Sequence, residues 1–361
     1  PNGMTLDHGR VMTLSVMETF MKIIWLLIGL LMPFAALAKT DLPGNVLPEV
    51  FDSLGPTVQE LVLTDGRRVH YIDDGEPDWL PVVLTGGLGT SVRVIRLLDF
   101  LRSMRETLQI RVITVERNGF GQTEYDPDLD MADFSEEVEA VLSHVGVDKF
   151  AVFGISGGGP YTAKIASRNT DRLLSVHMAA TSSSLGQPSR CDQDSPASGY
   201  RDMLHQPMRF FGFAPDSPMH QVQGFQDTAF DEAARAHNLR GQMADATPLD
   251  HEISLYCKEG AIDTSNVKVP VFVYRGLADG VLGEEDLQVW RNTFPAADVT
   301  MREYAGEGHD VQYRHLDQIL LDIAGYGDDV LVCANNKNKL ITPEKVQVTD
   351  HVRLGLCAWR K

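Results

Sequence analysis

The chain has 361 residues, of which 43% are hydrophobic and 23% are charged, and its formal net charge is −18. This length is sufficient for one large domain with an insertion, or for two domains, each with a sizeable buried core. Because nucleic-acid binding needs a broad face of clustered Lys and Arg, the acidic balance argues against a nucleic-acid partner.

An N-terminal apolar segment, MKIIWLLIGLLMPFAALAKT at residues 21–40, is typical of a secretory signal. A lysine precedes an unbroken apolar run, and Ala36-Leu37-Ala38 matches the small-x-small pattern of a signal-peptidase site. We therefore expect residues 21–38 to be a signal peptide, preceded by an upstream extension at 1–20. The mature protein would then be secreted or periplasmic, with no stable membrane partner. An uncleaved N-terminal membrane anchor and a buried core helix are the alternatives.

The four cysteines are too few and too scattered for a disulfide scaffold, and they form no C-x-x-C metal-binding pattern. An exported protein could join Cys191 to Cys257 and Cys333 to Cys357. Four unpaired thiols explain the sequence equally well, so the pairing stays open at this point. We expect neither a metal nor a cofactor.

Strand-like and helix-like runs alternate after residue 57, which is the pattern of a mostly parallel sheet with helices on both faces. The first two strands flank Asp65-Gly66 in VQELVLTDGRRVHYID (58–73) and predict a hairpin. The runs that follow predict, in chain order, a strand in PVVLTGG (81–87), a helix in VRVIRLLDFLRSM (92–104), a strand in IRVITVE (110–116), a helix in FSEEVEAVLSHVG (134–146) and a strand in KFAVFGIS (149–156).

The alternation continues in the second half of the chain. It predicts a helix in GPYTAKIASRN (159–169), strands in LLSVHMAA (173–180), VPVFVYRGLAD (269–279) and VTMREYAGEGH (299–309), a helix in GEEDLQVWRNTF (283–294) and a last helix in VQYRHLDQILLDIAG (311–325).

One proline-broken stretch, residues 181–267, interrupts this order and contains no evident strand. An insertion of this size between two sheet strands predicts a helical cap over the carboxyl edge of the sheet, where open α/β sheets bind ligands. The core domain would then consist of residues 45–180 and 268–326. The tail at 327–361 is locally basic, and KVQVTDHVRLGL (345–356) predicts an extra hairpin or strand of unknown role.

A single serine lies among four glycines in FGISGGGPYTAK (153–164). A chain that turns sharply from a strand into a helix strains its turning residue and needs tiny neighbours two positions away on either side. Gly154-x-Ser156-x-Gly158 meets that need. Ser156 is therefore predicted to be a nucleophile that faces the N–H groups at the helix start. The alternative is a glycine-rich turn with an idle serine.

A nucleophilic serine needs a histidine base, and the histidine needs a carboxylate that fixes its tautomer. His309 and Asp279 each follow a late predicted strand, so we assign these two roles to them. His205, His220, His237 and His251 fall in the predicted cap, and His315 falls in the last helix. Two backbone donors must also bind an oxyanion, and Gly157 and Gly87, the latter in LTGGLGTS, are the candidates.

Five motifs in this order, LTGGLGTS, ERNGFGQT, GISGGGPYTA, YRGLAD and GEGHD, resemble the capped branch of the α/β-hydrolase fold family that has a serine nucleophile. The resemblance covers roughly residues 58–325. It implies an eight-stranded sheet, a lid between the sixth and seventh sheet elements, and a triad of Ser156, Asp279 and His309. It also implies that ERNGFGQTE shapes the pocket without a catalytic step. Many relatives begin the first motif with His-Gly, whereas this chain has Thr85-Gly86.

The expected function is that of a serine hydrolase, which cleaves a carboxylic ester of a small or medium apolar substrate through an acyl-enzyme. C–C bond hydrolysis, aminopeptidase activity and peracid formation use the same triad and remain open. A non-catalytic ligand-binding protein on this fold is the alternative from another class. The expected partner is a small-molecule substrate.

Overall fold

An eight-stranded, mostly parallel sheet forms the centre of the computed structural model, which describes residues 56–90, 92–185, 191, 247–282, 293–349 and 351–359. The spatial order of the strands is β1-β2-β4-β3-β5-β6-β7-β8. Their bounds are β1 Gln59–Val62, β2 Arg68–Asp74, β3 Leu80–Thr85, β4 Ile110–Val115, β5 Phe150–Ile155, β6 Leu173–Ala179, β7 Val271–Gly276 and β8 Val299–Tyr304. The predicted fold class is confirmed.

Strand direction places the ends of the central strands side by side. β2 pairs antiparallel with β1, with which it forms the predicted hairpin, and also with β4. Every other pair in this sheet is parallel. Thr85 is the register partner of Gly154, and Ile155 is the partner of Ala179. Because parallel strands end at the same edge, the segments that follow β3, β5 and β6 are neighbours there.

Two layers of helices cover the sheet. Among the described helices, one layer contains α2 (Met131–His144), α3 (Gly159–Arg168) and α4 (Thr247–Glu259). The other contains a 3-10 helix (Val92–Leu101), α1 (Arg102–Thr107), α5 (Val311–Arg314) and α6 (Leu316–Ile323). Every residue of β4 and β5 is buried, as expected for strands with apolar layers on both faces.

Two predicted helices differ in detail from the structure. The run at 92–104 begins as a 3-10 helix, because β-branched side chains crowd its start and both backbone groups of Val92 are bound from outside the helix. Thr114 donates to the Val92 carbonyl at 2.7 Å, and Glu116 accepts from its N–H at 2.7 Å. The last helix is broken at His315, whose ring stacks on Tyr304 with centroids 3.5 Å apart.

The C-terminal tail forms a separate three-stranded antiparallel sheet. Its order is β10 (Lys337–Ile341), β9 (Val330–Ala334), β11 (Val352–Leu354). Only β11 falls within a predicted strand. The β9–β10 hairpin was not predicted, and its signal is the Asn335-Asn336 pair, since both residues have positive φ and form a two-residue turn.

Side chains of α6 hold the tail sheet against the core. Asp317 accepts from the Leu356 N–H at 2.8 Å, and the Gln318 side-chain oxygen accepts from the Leu331 N–H at 2.7 Å. A disulfide joins Cys333 to Cys357 within the tail, and a second joins Cys191 to Cys257. Both pairings left open by the sequence are therefore present.

The predicted signal peptide, and all of the predicted cap between residues 186 and 246 except Cys191, lie outside the described residues. So does most of the predicted helix at 283–294. Within the described ranges, no helix has both the length and the apolar character that crossing a bilayer requires.

Glu116 is a buried carboxyl group at the end of β4. It accepts from the N–H groups of Val92 at 2.7 Å and Gln122 at 3.3 Å. Burial outweighs these bonds and raises the pKa of Glu116 from 4.5 to about 7. The folded state therefore holds this proton at pH values where the unfolded chain has released it.

We expect the Glu116 proton to make folding stability depend on pH. Its contribution is fully present below pH 4.5 and is lost as the pH rises through 7, because the unfolded state binds fewer protons in that range. Glu116→Gln mimics the protonated form. Relative to this variant, the wild type should lose about 3 kcal/mol of unfolding free energy between pH 4.5 and 7.5. Urea unfolding of both proteins across this range checks the difference, and parallel curves contradict the assignment.

Candidate active site

Ser156 lies on a strained turn directly after β5. Its φ is +49°, a conformation that side-chain-bearing residues rarely adopt, and it opens a single 3-10 turn, Ser156–Gly158, that leads into α3. A Cβ at Gly154 would overlap the Thr162 hydroxyl, and a Cβ at Gly158 would overlap the Thr85 carbonyl. Gly154 and Gly158, two positions before and after Ser156, are therefore required by close packing.

The imidazole of His309 bridges Ser156 and Asp279. Its Nε2 is 2.9 Å from Ser156 Oγ, and its Nδ1 is 2.9 Å from Asp279 Oδ2. Asp279 follows β7 and His309 follows β8, so the carboxyl ends of three parallel strands supply the three groups. The structure thus brings together all three side chains that the sequence analysis selected.

Asp279 is oriented by its own backbone surroundings. Its Oδ1 accepts from the N–H groups of Val281 at 2.8 Å and Leu282 at 3.1 Å, which leaves Oδ2 to face His309. Burial alone would raise the pKa of Asp279, but the His309 hydrogen bond and the two N–H groups outweigh it, so this pKa is lowered. Asp279 is therefore an anion beside the imidazole at neutral pH.

The other described histidines considered in the sequence analysis have structural partners. His315 Nε2 is 2.8 Å from Glu307 Oε2, and His251 Nε2 is 2.8 Å from the Leu129 carbonyl. His205, His220 and His237 lie outside the described residues. In the described ranges, no group of three or more His, Cys, Asp or Glu side chains is arranged to hold a metal ion.

The loop after β3 lies against the serine turn. A Cβ at Gly87 would be 3.3 Å from Ser156 Cβ, and a Cβ at Gly157 would overlap the backbone of Leu88. Both candidate oxyanion donors, Gly87 and Gly157, therefore border the serine. Thr85, in place of the common histidine, donates to the Gly158 carbonyl at 3.1 Å and lies 2.6 Å from the Thr162 hydroxyl, so this threonine fixes the loop to α3.

Sequence reasoning missed four polar side chains that bind the backbone of this site. Arg117 donates to the carbonyls of Gly86, at 3.2 Å, and Gly87. Thr181 donates to the Ser156 carbonyl. The other two, Glu252 and Tyr256, come from α4.

The two α4 side chains link that helix to both loops. Glu252 accepts from the Gly89 N–H at 3.0 Å and pairs with Arg117 at 3.1 Å. The Tyr256 hydroxyl is 2.7 Å from the Gly157 carbonyl and 2.8 Å from the Glu252 carboxylate. Burial raises the pKa of Glu252 despite these partners.

Some of these side chains left a signal in the sequence. Arg117 is one of two charged residues, with Glu116, that follow the mostly apolar strand β4, and Glu252 and Tyr256 are four residues apart, on one helix face. Thr181 had no such signal, because its role depends only on the register of β6 beside β5.

A family model of the alpha/beta hydrolase fold matches residues 81–316. Solved structures with this fold are similar to the chain, and three are a hydrolase from Pseudomonas aeruginosa PA01, the enol-lactonase from Burkholderia xenovorans LB400 and the esterase RhEst1 from Rhodococcus sp. ECU1013. Their identities are 18%, 16% and 18%, and their TM-scores are 0.56, 0.55 and 0.54. Each alignment covers 74% of this chain and 98% of the other. No curated protein sequence matches the chain.

The packing at Gly158 predicts that a single added methyl group strongly lowers the free energy of unfolding. In Gly158→Ala the new Cβ would meet two backbone carbonyls, those of Thr85 and Gly86, neither of which can rotate away. We expect a loss of about 3 kcal/mol of unfolding free energy. Gly280→Ala is the matched control, because its Cβ meets no atom of the described residues within 4 Å. Denaturant unfolding compares them, and equal losses in both variants contradict the packing argument.

Proposed function

The chain belongs to the α/β-hydrolase fold family, and from this membership and the site geometry we propose that it is a serine hydrolase that cleaves carboxylic esters. One observation carries the proposal, the contact of His309 with Ser156 and Asp279 at 2.9 Å each. In this order the imidazole can take the hydroxyl proton while the carboxylate orients the ring and stabilises its positive charge, which activates a serine for attack on an acyl group.

In the proposed reaction Ser156 Oγ attacks the ester carbonyl carbon while His309 Nε2 takes the hydroxyl proton. Asp279 holds the other ring nitrogen and stabilises the imidazolium. The carbonyl oxygen becomes an oxyanion, to which the N–H groups of Gly87 and Gly157 donate. The C–O bond then breaks, and His309 gives its proton to the departing alcohol. Water attacks the acyl-enzyme with the same base, which releases the acid and restores the serine.

Hydrolysis of an ester bond is favoured over cleavage of the other bonds that this triad can break. Two of the similar structures are named an esterase and an enol-lactonase, and a lactone is a cyclic ester. We propose a small or medium apolar ester as the substrate class. A non-catalytic binding protein needs no serine on a strained turn in contact with a base, so the geometry favours an enzyme.

The serine role predicts selective labelling by a fluorophosphonate probe. Wild-type protein should be labelled at Ser156, and Ser156→Ala should not be labelled. In a screen of esters of graded acyl length, kcat should fall by at least about 10³-fold in Ser156→Ala and by about 10³- to 10⁴-fold in Asp279→Asn. Circular dichroism verifies that both variants are folded. Equal labelling of wild type and Ser156→Ala, or ligand-induced thermal stabilisation without turnover, contradicts the proposal.

We also propose that the protein is exported through the signal at residues 21–38. Disulfides persist in oxidising compartments outside the cytosol, and the pairs Cys191–Cys257 and Cys333–Cys357 support this location.

Cleavage after Ala38 predicts that the exported protein begins at Lys39. N-terminal sequencing of protein recovered from the periplasm or medium of a bacterial host tests this directly. Recovery in the membrane fraction with residues 21–38 still attached favours the anchor instead and contradicts cleavage.

A further inference from the structure

Each proposed oxyanion donor belongs to a rigid peptide unit whose carbonyl points the opposite way. A trans peptide is planar, so fixing its carbonyl oxygen also fixes the direction of its N–H. The Gly157 N–H shares a plane with the Ser156 carbonyl, and the Gly87 N–H shares a plane with the Gly86 carbonyl. Whatever binds these two carbonyls therefore aims the two donors.

Thr181 binds the first of these carbonyls. It lies just beyond the end of β6, is fully buried, and donates its hydroxyl proton to the Ser156 carbonyl. The contact is close enough that a Cβ on Gly159 would overlap the Thr181 hydroxyl. Within the 3-10 turn, the Ser156 carbonyl also accepts from the Gly159 N–H. The Thr181 hydroxyl is therefore a second donor, supplied by a side chain, that helps to fix the direction of this carbonyl.

Arg117 binds the second carbonyl. Its Nη1 is 3.2 Å from the Gly86 oxygen, and its Nη2 donates to the Gly87 carbonyl and lies 3.0 Å from the Thr90 hydroxyl. A guanidinium is a planar fork, so one side chain can hold two successive carbonyls in a fixed relation. Its charge is balanced by Glu252 at 3.1 Å.

We infer that Thr181 and Arg117 are positioning residues that aim the oxyanion donors, Thr181 for the Gly157 N–H and Arg117 for the Gly87 N–H. The inference rests on the proposed serine hydrolase function. Neither side chain needs to touch the substrate, because each acts through a peptide plane.

The Thr181 arm of the test compares two substitutions at one buried position. Thr181→Val keeps the shape but removes the hydroxyl, and Thr181→Ser keeps the hydroxyl but removes a methyl group. With p-nitrophenyl butyrate as substrate, we expect kcat to fall about 10- to 100-fold in Thr181→Val with KM within about 3-fold of wild type, because loss of a whole oxyanion donor costs about 10²- to 10³-fold. Thr181→Ser should remain within about 3-fold of wild type.

The Arg117 arm has a matched control in Arg111, which lies on β4, the strand that Arg117 follows. Arg117→Lys keeps the charge but loses the fork. Arg111→Lys makes the same change at the opposite end of β4, where Arg111 holds both oxygens of Asp73 at 2.6 and 2.5 Å. We expect about a 10-fold or larger fall in kcat for Arg117→Lys and a change below about 3-fold for Arg111→Lys.

A boronic acid that forms a tetrahedral adduct on the serine gives a readout that a purely structural role would not move. Its affinity should fall by the same factor as kcat in Thr181→Val and Arg117→Lys, because adduct and transition state use the same donors. All rates are expressed per active site titrated to completion with fluorophosphonate, so misfolded protein does not count.

The outcomes separate this inference from the function on which it rests. If wild-type protein is not labelled at Ser156, the proposed function fails first. If wild type is active but Thr181→Val keeps its kcat and boronate affinity, the positioning role is overturned while the function stands. Equal losses in Thr181→Val and Thr181→Ser, or in Arg117→Lys and Arg111→Lys, also overturn it.

Discussion

The close approach of two backbone segments, the serine turn at 156–158 and the loop that follows β3, is the constraint on which the site depends. At these positions the two segments leave no room for a methyl group, because a Cβ at Gly157 or Gly158 would overlap the facing backbone. This close approach brings together the two segments that carry the proposed oxyanion donors, Gly87 and Gly157. The glycines are therefore a geometric requirement, and the positive φ of Ser156 follows from the same tight turn.

Parallel strands supply almost every other part of the site. Six parallel strands are each followed, at the same sheet edge, by a group of the site. These groups are Gly87 after β3, Arg117 after β4, Ser156 after β5, Thr181 after β6, Asp279 after β7 and His309 after β8. A rigid sheet sets these positions more precisely than loops alone could do. Among the described site groups, Glu252 and Tyr256 come from a helix, α4, which the Cys191–Cys257 disulfide joins to residue 191; both cysteines fall in the range predicted as the cap.

The sequence was most informative where a local pattern has a single physical explanation. Glycines two positions on each side of Ser156, between an apolar strand and a helix, already specify the turn. Asp279 and His309 needed only the strand order. Arg117 and Thr181 could not be found in this way, because a buried donor is explained by the carbonyl it meets, and that carbonyl is distant in sequence. For the same reason, the break at His315 depends on Tyr304 and Glu307, which precede the helix.

The buried ion pair of Arg117 and Glu252 follows from the irregular backbone it contacts. Burying two opposite charges rarely stabilises a protein more than a well-packed apolar pair would, because both charges lose their hydration. The carbonyls of Gly86 and Gly87, however, lie in a loop outside the strand ladder. Thr90 donates its N–H at 3.3 Å and its hydroxyl at 2.8 Å to the Gly87 carbonyl, and an apolar side chain in place of Arg117 could donate to neither carbonyl. Arg117 satisfies both with one fork, and its charge then requires a buried anion. Glu252 meets that requirement and accepts a hydrogen bond from the Gly89 N–H of the same loop. Both members of the ion pair therefore bind the backbone of this loop.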